Sequence, residues 1–197
     1  MDQETLFTAS KWDILKLLSK SPKSPIQLAK LANTSVANIS QQLRLLEMGG
    51  IVKSVRISNR EKDQPRILYS LAQNHAYVIA IGNKFAEKGF TELDDFSTAI
   101  LRIMLIPDKK TRYSLQTALW QIEPDFAKID MVLADVSHAG KPNLHIASES
   151  TTAAKKVAGL NAKDVKIHFS SKEDAMKLID KGIIVLHAKT TQGEVGK

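Results

Sequence analysis

The chain contains no cysteine, which excludes disulfide staples, thiol nucleophiles and thiolate metal sites together. Aromatic residues make up only 6% of its 197 positions, and 9 glycines and 6 prolines are too few for a collagen-like or Pro/Gly-rich disordered chain. No apolar run approaches the roughly 18 residues that a membrane helix needs. The opening Met1-Asp2-Gln3-Glu4-Thr5 lacks the basic-then-apolar order of a signal peptide. These absences predict a soluble, cytoplasmic protein with no membrane partner. With 43% hydrophobic residues, the length suits one large domain or two small ones, each with a core of its own.

The charge is unevenly spread. Lys and Arg outnumber Asp and Glu by 28 to 21, and residues 1–90 hold 13 of the bases against 7 of the acids, a net of +6. Residues 91–197 hold 15 and 14, a net of +1. From Lys16 to Arg66 there are ten basic residues and three acidic ones, Glu47, Glu61 and Asp63. Such clustering is the footprint of polyanion binding if the charges sit on an element built to enter a groove, and otherwise a solvated basic face.

Helix signals follow one another through the first fifty residues. Ser10 is read as the cap of a first helix with apolar positions Trp12, Ile14, Leu15, Leu17 and Leu18, ended by Ser21-Pro22-Lys23-Ser24. Ser24 followed by Pro25 starts a second, with Ile26, Leu28, Ala29 and Leu31 as its buried face. Thr34 or Ser35 caps a third that runs to Met48, where Gly49-Gly50 supplies a left-handed terminator. Two helices this close in sequence form a helix-turn-helix.

The third helix carries the most informative surface. At about 100° per residue, Val36, Ile39, Leu43 and Leu46 fall within an arc of roughly 80°, the stripe expected to face the core. Ala37, Asn38, Gln41 and Arg44 point the other way, flanked by Ser40, with Thr34 and Ser35 at the leading end. Asn and Gln pair bidentately with adenine and Arg with guanine, while small residues let a helix lie deep in the major groove. A merely solvated face would more often carry Lys and Glu at i,i+4 spacing. Leu45 and Met48 suit a groove less well and are expected to meet the hairpin or another subunit.

Two β-rich runs follow, Ile51–Ser58 and Arg66–Leu71, joined by Asn59-Arg60-Glu61-Lys62-Asp63-Gln64-Pro65. They predict a hairpin with a charged tip. Arg56, Arg60, Lys62 and Arg66 lie on or near that tip, where cationic side chains can follow a phosphate backbone or enter the minor groove. Three helices and a hairpin in this order make a winged helix.

The stretches Lys11-Trp12-Asp13-Ile14-Leu15-Lys16-Leu17-Leu18, Pro25-Ile26-Gln27-Leu28-Ala29 and Thr34-Ser35-Val36-Ala37-Asn38-Ile39-Ser40-Gln41-Gln42-Leu43-Arg44-Leu45-Leu46-Glu47-Met48-Gly49-Gly50-Ile51-Val52 resemble the ArsR-type winged helix-turn-helix of prokaryotic transcription regulators, with an archaeal flavour. The resemblance covers roughly residues 8–72. It implies that the helix at 35–48 reads bases and that the hairpin tip touches the backbone. The second helix and its flanks carry neither Cys nor His, so the family's metal sensing does not carry over and no metal is expected.

Residues 73–90 are read as a connecting helix through Ala76, Val78, Ile79, Ala80, Ile81 and Phe85, ended by Lys88-Gly89. Another helix is predicted from Thr91, with Leu93, Phe96, Ile100, Ile103 and Met104 as a stripe suited to dimerisation. After Pro107, a helix (113–122), a strand (129–134), a strand (144–147), a helix (151–158), a strand (164–169), a helix (171–181) and a strand (183–187) indicate a small α/β domain. The fold class is therefore α+β, divided as a winged helix with connecting helix (1–90), a linking and dimerisation helix (91–106) and the α/β domain (107–197).

Ile129-Asp130-Met131-Val132-Leu133, Gly140-Lys141-Pro142-Asn143-Leu144-His145-Ile146 and Ala175–His187 resemble the small nucleotidyltransferase domain found behind winged helices in archaea. Active members cradle a phosphate with a Gly-Ser pair and hold magnesium with two carboxylates. The matching positions are Ala134-Asp135 or Val136-Ser137, and Asn143 with His145, so the resemblance implies a degenerate, catalytically dead domain. His138, His145, His168 and His187 lack metal-ligand spacing and read as strand-end histidines satisfied by backbone. Lys155 and Lys156 read as a solvated helix face, and Thr190–Lys197 as a frayed tail.

These features predict a sequence-specific regulator of transcription that binds double-stranded DNA as a homodimer, with an unidentified ligand or protein at its C-terminal domain. No catalytic residue, cofactor or metal is expected. The alternatives are a nucleotidyltransferase or nucleotide-handling enzyme targeted by a winged helix, and a winged helix used only for protein contacts.

Overall fold

The computed structural model describes residues 7–57, 66–138, 141–151, 153, 157, 159, 162, 164–179 and 181–189. Two compact units divide the chain, Met1–Glu92 and Leu93–Lys197.

The first unit opens with α1 (Ala9–Leu18), α2 (Pro25–Leu31) and α3 (Val36–Met48). Thr8, not Ser10, occupies the cap position of α1 and makes no side-chain cap bond. Ser24 forms a full capping box with Gln27, each side chain meeting the other's backbone N–H, and Pro25 needs no donor where it stands. Ile14, Leu15 and Leu18 of α1, Leu28 and Ala29 of α2, and Ile39, Leu43 and Leu46 of α3 pack with Ile51 and Val52 into one core. Trp12, Ile26, Leu31 and Val36, assigned to buried faces from sequence, are exposed. Each helix buries one face, and these residues lie away from it, as Trp12 does beside buried Ile14, Leu15 and Leu18.

Two antiparallel hairpins complete the unit: β1 (Val52–Ile57) with β2 (Arg66–Leu71), and β3 (His75–Gly82) with β4 (Phe85–Glu92). The second hairpin replaces the connecting helix expected over 73–90. The apolar residues that suggested a helix include β-branched Val78, Ile79 and Ile81, whose stiff side chains fit a pleated surface better. Gly82 ends β3 where the ring of Phe85 folds over it, leaving no room for a Cβ, and Lys84 takes the left-handed conformation in the turn. Gly89 is an interior residue of β4 and terminates nothing.

In the second unit α4 (Asp95–Met104) and α5 (Lys109–Trp120) are capped by the carboxylates of Asp94 and Asp108. Both carboxyls are held below the usual carboxylate range by the hydrogen bonds they accept, from Ser97 and from Thr111. A 3₁₀ turn (Glu123–Lys128) leads into β5 (Met131–Asp135). Then come β6 (Asn143–Ala147), β7 (Lys166–Ser170), α6 (Lys172–Ile179) and β8 (Ile184–Ala188). The sheet order is β7-β6-β5-β8, with β6 and β7 parallel and the other pairs antiparallel. In the segment 151–158, Thr151, Ala153 and Val157 are helical, with Ala153 and Val157 in the core. Lys155, Lys156 and the tail lie outside the described residues.

Central β5 is buried on both sides. Val132 and Ala134 face the large core with Ile103 of α4 and Leu115, Ala118 and Leu119 of α5, whereas Met131 and Leu133 pack with Ala175 of α6. Of the stripe assigned to dimerisation, Ile103 is buried and Phe96 and Ile100 pack against that same core; Met104 is exposed. Most of that stripe is therefore consumed inside its own unit.

Candidate nucleic-acid interface

The turn between α2 and α3 is set by local chemistry. Asn33 takes the left-handed conformation, with φ 50°, which Asn tolerates better than most residues. Ser35 then accepts a hydrogen bond from the Asn38 backbone N–H at 3.2 Å and starts α3. At the far end Gly49 caps α3, and Gly50, at φ 71°, turns the chain into β1.

With Ile39, Leu43 and Leu46 anchored in the core, the opposite side of α3 presents Ser35, Ala37, Ser40, Gln41 and Arg44 to solvent. Exposed Met48 shares that side, and the one acid of α3, exposed Glu47, borders it beside Ser40. Thr34 and Asn38 are half-buried and linked: Asn38 Nδ2 donates to Thr34 Oγ1 at 3.0 Å and its Oδ1 accepts from Gln42 Nε2 at 3.4 Å. Asn38 is thus held along the helix by neighbours one turn away on each side. Gln42, not singled out from sequence, completes this ladder; its i+4 spacing from Asn38 is the signal that identifies it.

The wing is fastened to α3. Ser54 Oγ donates to Glu47 Oε1 at 2.6 Å. On the other side, Lys23 and Tyr69 exchange backbone hydrogen bonds of 3.0 and 2.9 Å, tying the approach to α2 onto β2. Burial, reinforced by the Glu47 carboxylate, raises the Tyr69 phenol above its ordinary value.

Cross-strand register sorts the wing's cations. Opposed residues share a face, and the pairs Ser54–Tyr69 and Arg56–Ile67 lie on the face that meets Glu47 of α3. Lys53–Ser70 and Ile57–Arg66 lie on the reverse face. Arg56 and Arg66, both exposed, therefore leave the wing on opposite sides. Lys53, exposed beside Arg66's face, was missed from sequence because its position near the strand's start lies far from the tip. Arg60 and Lys62 lie outside the described residues.

Residues 10–54 match the family model of the bacterial regulatory protein, arsR family. The matched stretch runs from α1 through α3 into β1, so the likeness to that family covers the helix-turn-helix and the start of the wing. No curated protein gives a significant match to the chain. No described helix is long and apolar enough to cross a membrane.

Outside the ArsR-type segment, the positions compared with a nucleotidyltransferase site do meet in space. Asn143 Nδ2 donates to Asp135 Oδ2 at 3.4 Å across β5 and β6. Asp135 also accepts from the Ser137 backbone and is held below the usual carboxylate range, first by that bond. Next along β6, the ring of His145 stacks on that of His168 with centroids 4.8 Å apart. Burial, and then the neighbouring His168, lowers the pKa of His145. The arrangement holds one carboxylate, an amide and two imidazoles, not a carboxylate pair for magnesium. His187 is buried beneath Phe126, with Nε2 3.3 Å from the Ile129 carbonyl, the backbone-satisfied strand histidine expected from sequence.

Proposed function

We propose that this protein is a sequence-specific regulator of transcription in which α3 enters the major groove of double-stranded DNA and the wing follows the adjacent phosphates. The observation that carries this reading is the exposed surface of α3: Ser35, Ala37, Ser40, Gln41 and Arg44, small or able to read base edges, with the acid at its border, Glu47, engaged by Ser54 of the wing. A major groove about 12 Å wide admits a helix with such short side chains, and Arg44 is long enough to reach guanine O6 and N7. Thr34 and Asn38 support the leading end. Arg56, Arg60, Lys62 and Arg66 supply the phosphate contacts that fix register.

The protein acts as a homodimer in the cytoplasm, two copies placing two recognition helices on successive major-groove faces of a palindromic site. Residues 107–197 serve as a regulatory domain of the degenerate nucleotidyltransferase type seen in archaea. On that resemblance Asn143 and His145 take the positions of the anionic oxygens that phosphoryl transfer needs, which supports a role in receiving a ligand or protein rather than in catalysis.

Selection of bound fragments from a genomic library by the full chain, followed by retardation assays at several salt concentrations, tests this. The expected result is one enriched, palindromic motif and an affinity that falls as salt rises. Absence of salt-dependent duplex binding would leave the winged helix as a protein-contact module. Transfer of labelled nucleotide in the presence of magnesium would instead establish the enzyme reading.

A further inference from the structure

We propose that the distal half of β3 is the self-association edge of the protein: Val78–Gly82 of one copy pairs antiparallel with Val78–Gly82 of a second, centred on Ala80. The two hairpins then form one four-stranded sheet in the order β4-β3-β3-β4. This deepens the homodimer reading above by naming the surface that joins the copies.

The hairpin is fastened only at its base. Phe7 packs on Tyr77 and Phe90 with centroids 5.4 and 6.0 Å apart, and His75 stacks on Phe90 at 4.8 Å. Beyond that point the strands project without cover: Ile79 and Ile81 are 64% and 80% exposed, and Val78 and Phe85 are 44% and 51% exposed. Among the described residues no third strand joins this sheet. A lone two-stranded hairpin is marginal in water and normally needs further strands or a packed face.

The chemistry of the edge identifies its occupant. Proteins protect exposed edges with Lys, Pro, bulges or inward charges. β4 carries Glu87, Lys88 and Glu92, and β1 and β2 carry Lys53, Arg56 and Arg66, with Lys23 bridging to Tyr69. β3 has none of these in its eight residues, despite lying in the more basic half of the chain. An uncharged, β-branched edge selects another such strand, and a second copy supplies it.

Self-pairing about Ala80 sets Ile79 opposite Ile81 of the second copy, and Ile81 opposite its Ile79, on one face, with Val78 opposite Gly82 on the other. No charge meets a like charge. About Glu87 or Lys88, β4 would instead oppose carboxylate to carboxylate or ammonium to ammonium. A stable dimer buries about 800 Å² per partner, more than one short edge supplies, so the exposed side chains of Ile79, Ile81, Val78 and Phe85 join the contact.

Because the chain lacks cysteine, single-cysteine variants report the contact directly. The full-length protein is expected to sediment as a dimer without DNA. Ala80→Cys should form a disulfide-linked dimer on mild oxidation, whereas Glu87→Cys, at the position paired with Ala80 inside the hairpin, should not. Ile81→Lys should weaken dimerisation by about tenfold or more, with the circular dichroism spectrum unchanged, since that side chain is exposed in the single chain. A monomeric wild type, alone or in a complex with a different protein, would overturn the assignment. So would a dimer that resists Ile81→Lys or links through Glu87→Cys instead of Ala80→Cys; that outcome leaves the homodimer reading standing on another surface.

Discussion

Glu47, in the last turn of α3, accepts a 2.6 Å hydrogen bond from Ser54, on the first strand of the wing. The bond crosses the Gly49-Gly50 turn and couples the two elements that the DNA-binding reading requires to act together. It also places an anion near Tyr69, the wing residue whose phenol is raised by burial and by that carboxylate.

Replacing Glu47 by Gln should therefore lower the Tyr69 pKa toward its ordinary value while leaving the larger contribution of burial in place. Ultraviolet titration of phenolate formation checks this, with Tyr69→Phe identifying the signal. The hydrogen bond is solvent-exposed, so its loss should cost no more than about 0.5–1.5 kcal/mol of stability.

Arg44→Ala should weaken binding to the selected duplex by about 1–3 kcal/mol and relax preference at one base pair, because a bidentate base contact is lost. Retardation assays on duplexes varied one base pair at a time separate this from a general loss of affinity.

The wing cations should behave differently. Arg56 shares the face that meets α3 and Arg66 does not, so Arg56→Ala should weaken all duplexes alike and reduce the salt slope by about one. Arg66→Ala should have the smaller effect. Arg60→Ala, in the segment between β1 and β2, should resemble Arg56→Ala. Equal slopes for the wild type and Arg56→Ala would remove the wing from the phosphate backbone.

Leu43→Ala should destabilise the first unit by about 2–5 kcal/mol, since Leu43 is fully buried among Ile14, Leu28, Ile39 and Leu46. Denaturant unfolding followed by the fluorescence of Trp12, in a Trp120→Phe background that silences the second unit, measures it. Trp12 lies on the exposed side of α1 and is a reporter rather than part of the core.

The second unit should lose stability in mild acid. His187 is lowered from its ordinary value near 6.5 first by burial, with the Asp95 carboxylate only partly opposing. His145 is lowered by burial and by His168. The unfolded chain thus binds more protons than the folded one as pH falls through 6.5, so stability declines from there down to the folded-state pKa values. Thermal unfolding between pH 7.5 and 5 should show the decline, and His187→Gln should flatten it.

Much of the helix-turn-helix was legible because its signals are local. Ser24-Pro25, Ser35 and Gly49-Gly50 act within a turn of where they stand, and Ile39, Leu43 and Leu46 at helical spacing name the core side of α3, so the outward-facing residues follow by subtraction. Residues 73–90 were illegible for the converse reason. A short apolar run that includes Val78, Ile79 and Ile81 fits either period, and the choice depends on whether Phe85–Glu92 lies alongside.

The sequence by itself determined the placement of the basic surplus, the caps and turns of the three N-terminal helices, and the absence of thiol chemistry. These are properties of composition or of contacts within four residues. Only the tertiary structure decided that α4 commits most of its apolar stripe to its own unit, that Arg56 and Arg66 diverge, and that β3 pairs, among the described residues, with β4 alone. Each depends on register or packing between segments distant in sequence, where a shift of one residue exchanges the two faces of a strand.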